Sequence, residues 1–276
     1  MAHTLLDAAT ELATRRLSGQ TGPTLSYPMT EFRHAFALQT AMTTQYCQLA
    51  KTQVSGWKCL LPTGDKQVVA PIFADTSYTL AQANSAAHIQ DKMPSEPCPI
   101  SPSSKQLARI EPELAFVFGS PLPSRQTPYS QAEIDAAIGS CHMALELIKS
   151  RYQTPSEVSY FDALADGLVN QGLVLGPEID LAIASKLSQF PLTVSYSDAA
   201  EQAPKAIVKD AVHPNVEPKA GLYWLVNFLS GQGIDLHPGQ AIITGSYAGV
   251  LDLPLDTDIE FIYGDVGRFC CRFIAR

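Results

Sequence analysis

The chain has 276 residues, of which 46% are apolar and only 17% charged, with a formal net charge of −8 and a pI near 5.2. Such a composition supports one large packed core and argues against a disordered chain. An acidic balance without a Lys/Arg run among aromatics argues against nucleic acid as a partner.

The opening "MAHTLLDAATELATRRLSG" lacks the basic start and long apolar block of a signal peptide, and Asp7 and Glu11 interrupt it. Neither a membrane-length apolar run nor a basic amphipathic helix is present, so no membrane partner and a cytoplasmic location are expected. Residues 5–17 place Leu5, Leu6, Ala9, Leu12 and Ala13 at helical spacing, with Thr4 as the cap. "MTEFRHAFALQTAMTTQYCQLAK" predicts a second helix, capped by Thr30. Residues 1–55 therefore read as a helical N-terminal region, and 56–276 as a β-rich core. "VSGWKCLLP" and "QVVAPIFADTSYTL" read as strands, and the Pro/Ser-rich residues 91–107 as a loop. "GSPLPSRQTPYS" is a second loop, followed by a short helix in "SQAEIDAAIGS" capped by Ser130 and a buried strand in "HMALELIKSRY". "LADGLVNQGLVLG" reads as a helix or turn running into a strand. "EPKAGLYWLVNFLSGQG" reads as an amphipathic helix with Leu222, Leu225 and Leu229 on one side. The tail from "QAIITGS" onward reads as strands and turns. Helices first, then a strand-rich body with inserted helices, point to an α+β fold. No dinucleotide, P-loop or nucleophile-elbow motif is present.

Six cysteines without a CxxC pair read as reduced thiols and give no structural zinc set. His3, His34, His88, His142, His213 and His237 are scattered and offer no metal set; His142 reads as structural.

The informative stretch is "RIEPELAFVFG", 109–119. Strand side chains alternate faces, so Glu111 and Glu113 point the same way and repel unless something positive lies between them. Pro112 between them, lacking an N–H, suggests a strand end or edge. The apolar run that follows suggests a strand buried on both faces, where carboxylates need hydrogen bonds, cations or a metal. Glu146, inside "MALELIKSR", is a third isolated carboxylate. Three hard oxygen donors suit Mg²⁺ or Mn²⁺ and leave coordination positions for a chelating 2-oxo acid and a water.

"SGWKCLLP", "PIFADTSY", "RIEPELAFVFG", "MALELIKSR", "LVLG", "WLVNFLSGQG" and "ITGS" follow one another in this order. In that order and spacing, from about residue 5 to the end, the chain resembles the 2-keto-4-pentenoate hydratases and 2-oxohex-3-enedioate decarboxylases of the fumarylacetoacetate hydrolase superfamily. The resemblance implies a helical region plus a mixed β-roll core. It also implies a homo-oligomer and a divalent metal held by Glu111, Glu113 and Glu146. Lys58 matches a catalytic lysine that moves protons on the dienol, and Asp75 an acidic position that orients it or activates water. Asp166 and Thr244 match positions beside the substrate, and Arg151 a family arginine that reads as a carboxylate's partner. The implied activity is hydration of a 2-hydroxy-2,4-dienoate or its 2-oxo tautomer in a catabolic route of the aromatic meta-cleavage kind. Decarboxylation of a 2-oxo-enedioate is the alternative.

The match has departures. Asp166-Gly167-Leu168-Val169 replaces Asp-Asn-Ala-Ser, losing an amide and a hydroxyl that Asn170 or Gln171 could replace only if the backbone shifts. Leu60 stands where the family has a second glycine. A divergent or non-catalytic relative that keeps the fold is therefore a further reading.

Overall fold

The computed structural model describes residues 4–64, 66–81, 95–198 and 203–276. His3, His88 and residues 91–94 of the expected loop lie outside them. The fold is mixed α+β, with helices against two curled sheets.

Helix α1 (Leu5–Ser18) begins at a capping box in which Thr4 and Asp7 each bond the other's backbone N–H. Helix α2 (Phe32–Ala50) packs on α1. Its cap position is Glu31, whose side chain makes no capping bond. The expected cap, Thr30, instead places its hydroxyl 3.4 Å from His34 Nδ1. Strands β1 (Val54–Thr63) and β2 (Lys66–Phe73) form a hairpin, and a 3₁₀ turn at Ala74–Thr76 leads into β3 (Ser77–Thr79). Strand β4 (Glu96–Ile100) lies inside the segment expected to be a loop. It is an edge strand, paired in parallel with the last strand of the chain, and an edge tolerates Pro97 and Pro99.

Strand β5 (Leu107–Phe118) is the long central strand. Helix α3 (Gln131–Ala137), capped by Ser130 as expected, leads into β6 (Ile138–Ile148). Helix α4 (Tyr160–Ala165), a turn, β7 (Asn170–Ile179) and the short helix α5 (Leu181–Ala184) follow. Strands β8 (Gln189–Asp198) and β9 (Ala203–Val212) pair antiparallel. Helix α6 (Ala220–Gly231) buries Leu222, Leu225 and Leu229 and packs on β1. The chain closes with β10 (Ala241–Ile243), β11 (Leu251–Pro254), β12 (Asp258–Tyr263) and β13 (Gly267–Ala275).

The larger sheet runs β2-β1-β10-β5-β6-β7-β3, with β11 also on β5; the smaller runs β4-β13-β12-β8-β9. One apolar cluster joins both sheets and α6. A direct link is the Tyr263 hydroxyl, which donates to the Ala144 carbonyl at 2.8 Å. A second, smaller cluster lies between α1, α2 and Phe73.

Strand β5 is buried on both faces along most of its length. Ile110, Leu114, Phe116 and Phe118 join the main core, while Ala115 and Val117 join a cluster of small and aliphatic side chains on the opposite face. Pro112 is not at an edge, contrary to the sequence expectation. On one flank β5 pairs with β6 throughout; on the other it changes partner, from β11 at residues 107–110 to β10 at 115–117. Between those partners the loop after β10 closes in, and the Tyr247 N–H donates to the Pro112 carbonyl at 3.0 Å. The proline thus sits at a break in one ladder, where a missing N–H costs least.

Candidate active site

The candidate site forms on the face of the larger sheet turned away from the main core. Strand alternation sends Trp57 and Cys59 of β1 into the core beneath α6 and leaves Lys58 on the other side. On β5 the same alternation presents Glu111 and Glu113, and on β6 Ala144 and Glu146. Register places Glu111 opposite Glu146 and Glu113 opposite Ala144. Around them lie Ile72, Ala115, Leu173, Ala241 and Ile243. An apolar wall of this kind weakens solvent screening and strengthens every charge interaction.

Lys58 Nζ donates to both oxygens of Glu146, at 2.7 and 2.8 Å, and lies 3.3 Å from the Leu168 carbonyl. Glu146 is wholly buried and accepts a further hydrogen bond from Asn170 Nδ2 at 2.9 Å. Glu113 accepts from the Gly245 N–H at 2.8 Å. Glu111, Glu113 and Glu146 each bring a ligand oxygen within 4.8 Å of the others. Among the described residues this is the one His/Cys/Asp/Glu group gathered closely enough to hold a metal ion. His142 is not part of it; its ring bonds the Gly176 carbonyl and the Ser140 hydroxyl, a structural role as expected.

Three carboxylates face one ammonium, and their protonation reflects it. Burial and then Glu146 push the Glu111 carboxyl up to about 7, against the pull of Lys58. Burial, followed by Glu146 and Glu111, holds Glu113 well above the ordinary carboxylate range, although Lys58 and the Gly245 N–H oppose it. Burial alone would depress Lys58, yet Glu146 and Glu111 overcome it and its pKa stands above the usual lysine value. Fully ionised, the group carries three negative charges and one positive, a local net of −2. A divalent cation would neutralise that sum, and the all-oxygen donor set suits a hard ion.

Other expected residues lie elsewhere. Asp75 accepts from the Tyr46 hydroxyl at 2.6 Å and lies 3.7 Å from the Arg276 guanidinium. Its carboxylate is thus committed to the helical side of the sheet and not to Lys58. Asp166 is buried and bound to Arg151 Nε at 2.6 Å. Arg151 compensates that carboxylate and anchors it in the turn. Arg151 is accordingly the carboxylate partner expected of it. Thr244 is buried, its hydroxyl 3.3 Å from His213 Nε2.

The turn that departs from the family pattern has an unusual backbone. Gly167, Leu168 and Val169 all have positive φ, at 82, 51 and 60°. This brings the Leu168 carbonyl to Lys58 and points Asn170 at Glu146. With this backbone Asn170 enters the site. Its Oδ1 is buried with no hydrogen-bond partner. Side-chain patterns do not reveal the contribution of Gly245 to this group, since it is made through a backbone N–H.

Comparison with known proteins agrees with this fold. No family model matches the chain. Over 175 residues it is 29% identical to the 2-oxo-hept-4-ene-1,7-dioate hydratase of Escherichia coli, covering 60% of this chain and 61% of the hydratase. The match thus spans about three fifths of that relative's length. The fold is similar to 4-oxalocrotonate decarboxylase from Pseudomonas putida G7 complexed with magnesium and adipate, with a TM-score of 0.74 and 17% identity over 98% of this chain and 97% of that one. The same decarboxylase complexed with calcium and acetate gives a TM-score of 0.71 at 17% identity, over 98% and 97% of the two chains. The fold is of the fumarylacetoacetate hydrolase type. In sequence the chain is thus similar to a hydratase, and in fold to a decarboxylase.

Proposed function

We propose that the chain is a divalent-metal-dependent lyase that hydrates a 2-hydroxy-2,4-dienoate or its 2-oxo tautomer. The observation that carries this reading is Lys58 lying among three clustered carboxylates, a group that when fully ionised sums to −2 with the lysine counted and calls for a divalent ion. Glu111, Glu113 and Glu146 would hold Mg²⁺ or Mn²⁺. The bound ion would polarise the carboxylate and 2-oxygen of an oxo acid. A magnesium complex of the decarboxylase with the similar fold, and the hydratase relative, support the same chemistry.

The chain's own residues supply the rest. Lys58 keeps its proton at Nζ against burial and can deliver it to the carbon chain of the dienol. The Leu168 carbonyl and Glu146 fix the direction of that N–H. Asn170 Oδ1 is free to accept from a water or a substrate hydroxyl. Thr244 stands beside Gly245 as a candidate substrate contact, and Asp75 is left with an indirect role through the 3₁₀ turn between β2 and β3. The apolar residues around the site exclude bulk water and favour a partly apolar acid.

The test is loss of the dienol's ultraviolet absorbance on adding protein and Mg²⁺. Wild type should consume it and Glu113→Gln should not; full activity in Glu113→Gln would contradict the metal assignment. Decarboxylation of a 2-oxo-enedioate is the second reading, favoured by the whole-length fold similarity to a decarboxylase crystallised with a diacid. Release of CO₂ from that substrate selects it. Metal-independent stability together with no turnover of either substrate would select a non-catalytic relative.

A further inference from the structure

Behind the turn that holds Lys58, on the helical side of the larger sheet, lies a cavity of about 20 Å³. Its lining includes Arg15, Arg16, Lys149, Arg151 and Arg276, together with Ser101 and Gln171, and no acidic residue. Five cations around a space of this size need compensation. Arg151 obtains it from Asp166, and Arg15 from Glu11. Lys149 Nζ reaches the carbonyl of Pro102, a neutral partner. Arg276 lies 3.7 Å from Asp75.

Arg16 is the least satisfied of the five. Its Nη2 donates to the Asp166 carbonyl at 2.9 Å, while Nε and Nη1 are buried with no hydrogen-bond partner. Its guanidinium carbon lies over the rings of Phe73, at 5.0 Å, and Tyr46, at 5.7 Å, so water is kept from its faces. A guanidinium with two orphaned donors in a dry site is costly unless something accepts from it. Burial first, and then Arg151, lower the proton affinity of both Arg16 and Lys149, with Asp166, Tyr46 and Asp75 opposing this at Arg16.

We infer that this cavity binds one small monovalent anion of chloride size, held by Arg16 Nε and Nη1. The volume sets the class. A space of about 20 Å³ admits a single water-sized body, not a phosphate or a dicarboxylate. The site is separate from the carboxylate group. The two share the turn of residues 166–170: Arg16 and Arg151 hold Asp166 from one side, and the Leu168 carbonyl meets Lys58 on the other. Its test requires no substrate.

Crystals grown in bromide, with diffraction recorded at the bromine edge, locate the ion directly in wild-type protein. An anomalous peak beside Arg16 is expected. Melting is then followed against sodium bromide or chloride, with sodium gluconate at matched ionic strength as control. A saturating rise of about 2–4 °C specific to halide is expected in wild type and absent in Arg16→Met. Density for a water bridging Arg16 to the orphaned Asp75 Oδ1, without anomalous signal, would overturn the inference. So would equal melting in halide and gluconate. Should Arg16→Met fail to fold, the bromide peak in wild type decides alone.

Discussion

Lys58 Nζ is shared almost equally between the two oxygens of Glu146, at 2.7 and 2.8 Å, across strands that are not neighbours in the sheet. Glu146 is wholly buried and the Lys58 side chain is 12% exposed, so screening by solvent is slight. Replacing Lys58 by Met leaves a buried carboxylate group with no cation. Truncating one partner of such a pair costs about 3–5 kcal/mol. Lys58→Met should therefore lose about that much in urea unfolding of metal-free protein, and Mg²⁺ should restore part of it. A loss below about 1 kcal/mol would show that Glu146 is compensated by other means. Activity, where assayed, should fall by about 10²-fold or more through loss of the proton donor.

The raised Glu111 carboxyl gives a pH dependence whose sign can be worked out. Its folded value of about 7 stands above its ordinary 4.5. Protonation thus favours the folded state, and the contribution is complete below the ordinary value. It is lost as pH rises through about 7. A divalent ion must displace this proton, so Mg²⁺ binding should tighten as pH rises toward neutrality and then level off. Calorimetry near about pH 6.5, in buffers of different ionisation heat, should show proton release on Mg²⁺ binding. Glu111→Gln should bind Mg²⁺ more weakly and release fewer protons. Unchanged proton release in that variant would move the titration to another group.

The carboxylate group was legible because alternation along two buried strands needs only local pattern: Glu111 and Glu113 share a face whichever strand pairs with β5. Their meeting with Glu146 and Lys58 depends on sheet order, for which the resemblance stood in. Pro112 was misplaced because its break lies in the middle of β5, where two partner strands meet end to end, and no local signal marks that. Pro97 and Pro99 concealed an edge strand for the opposite reason, since their composition reads as a loop. The β8–β9 pair carries no expectation at all, although Leu192 and Val194 are buried at alternate positions. Asp75 and Asp166 kept their place in the sequence pattern, but Arg151 holds the Asp166 carboxylate, and the Tyr46 hydroxyl holds one oxygen of Asp75 with Arg276 farther off.

The turn at 167–169 stores strain. Val169 is β-branched at φ 60°, a conformation that favours glycine. Val169→Gly should remove that strain at a smaller cost in chain entropy, giving a net gain of about 0.5–1 kcal/mol in urea unfolding. The Lys58 geometry should survive, because the turn's hydrogen bonds from Leu168 and Lys149 N–H groups are made through the backbone. A net loss of stability would mean that the side chain of Val169 contributes packing that outweighs its strain.

Gly245 joins backbone conformation to the site most tightly. Its φ is 133°, and a Cβ added there would stand 2.5 Å from Leu60 Cδ2 and 2.6 Å from Pro214 Cγ. Its N–H donates to Glu113. Gly245→Ala should therefore push the loop after β10 away from β5 and weaken that hydrogen bond. A stability loss of about 2 kcal/mol or more and a weaker response of melting temperature to Mg²⁺ are expected. Leu60→Ala in the same chain should recover part of the packing cost by removing the Leu60 clash. It should not recover all of it, because the φ penalty remains. The double variant separates the two causes: full recovery would assign the whole effect to Leu60, and no recovery would assign it to the backbone and Pro214.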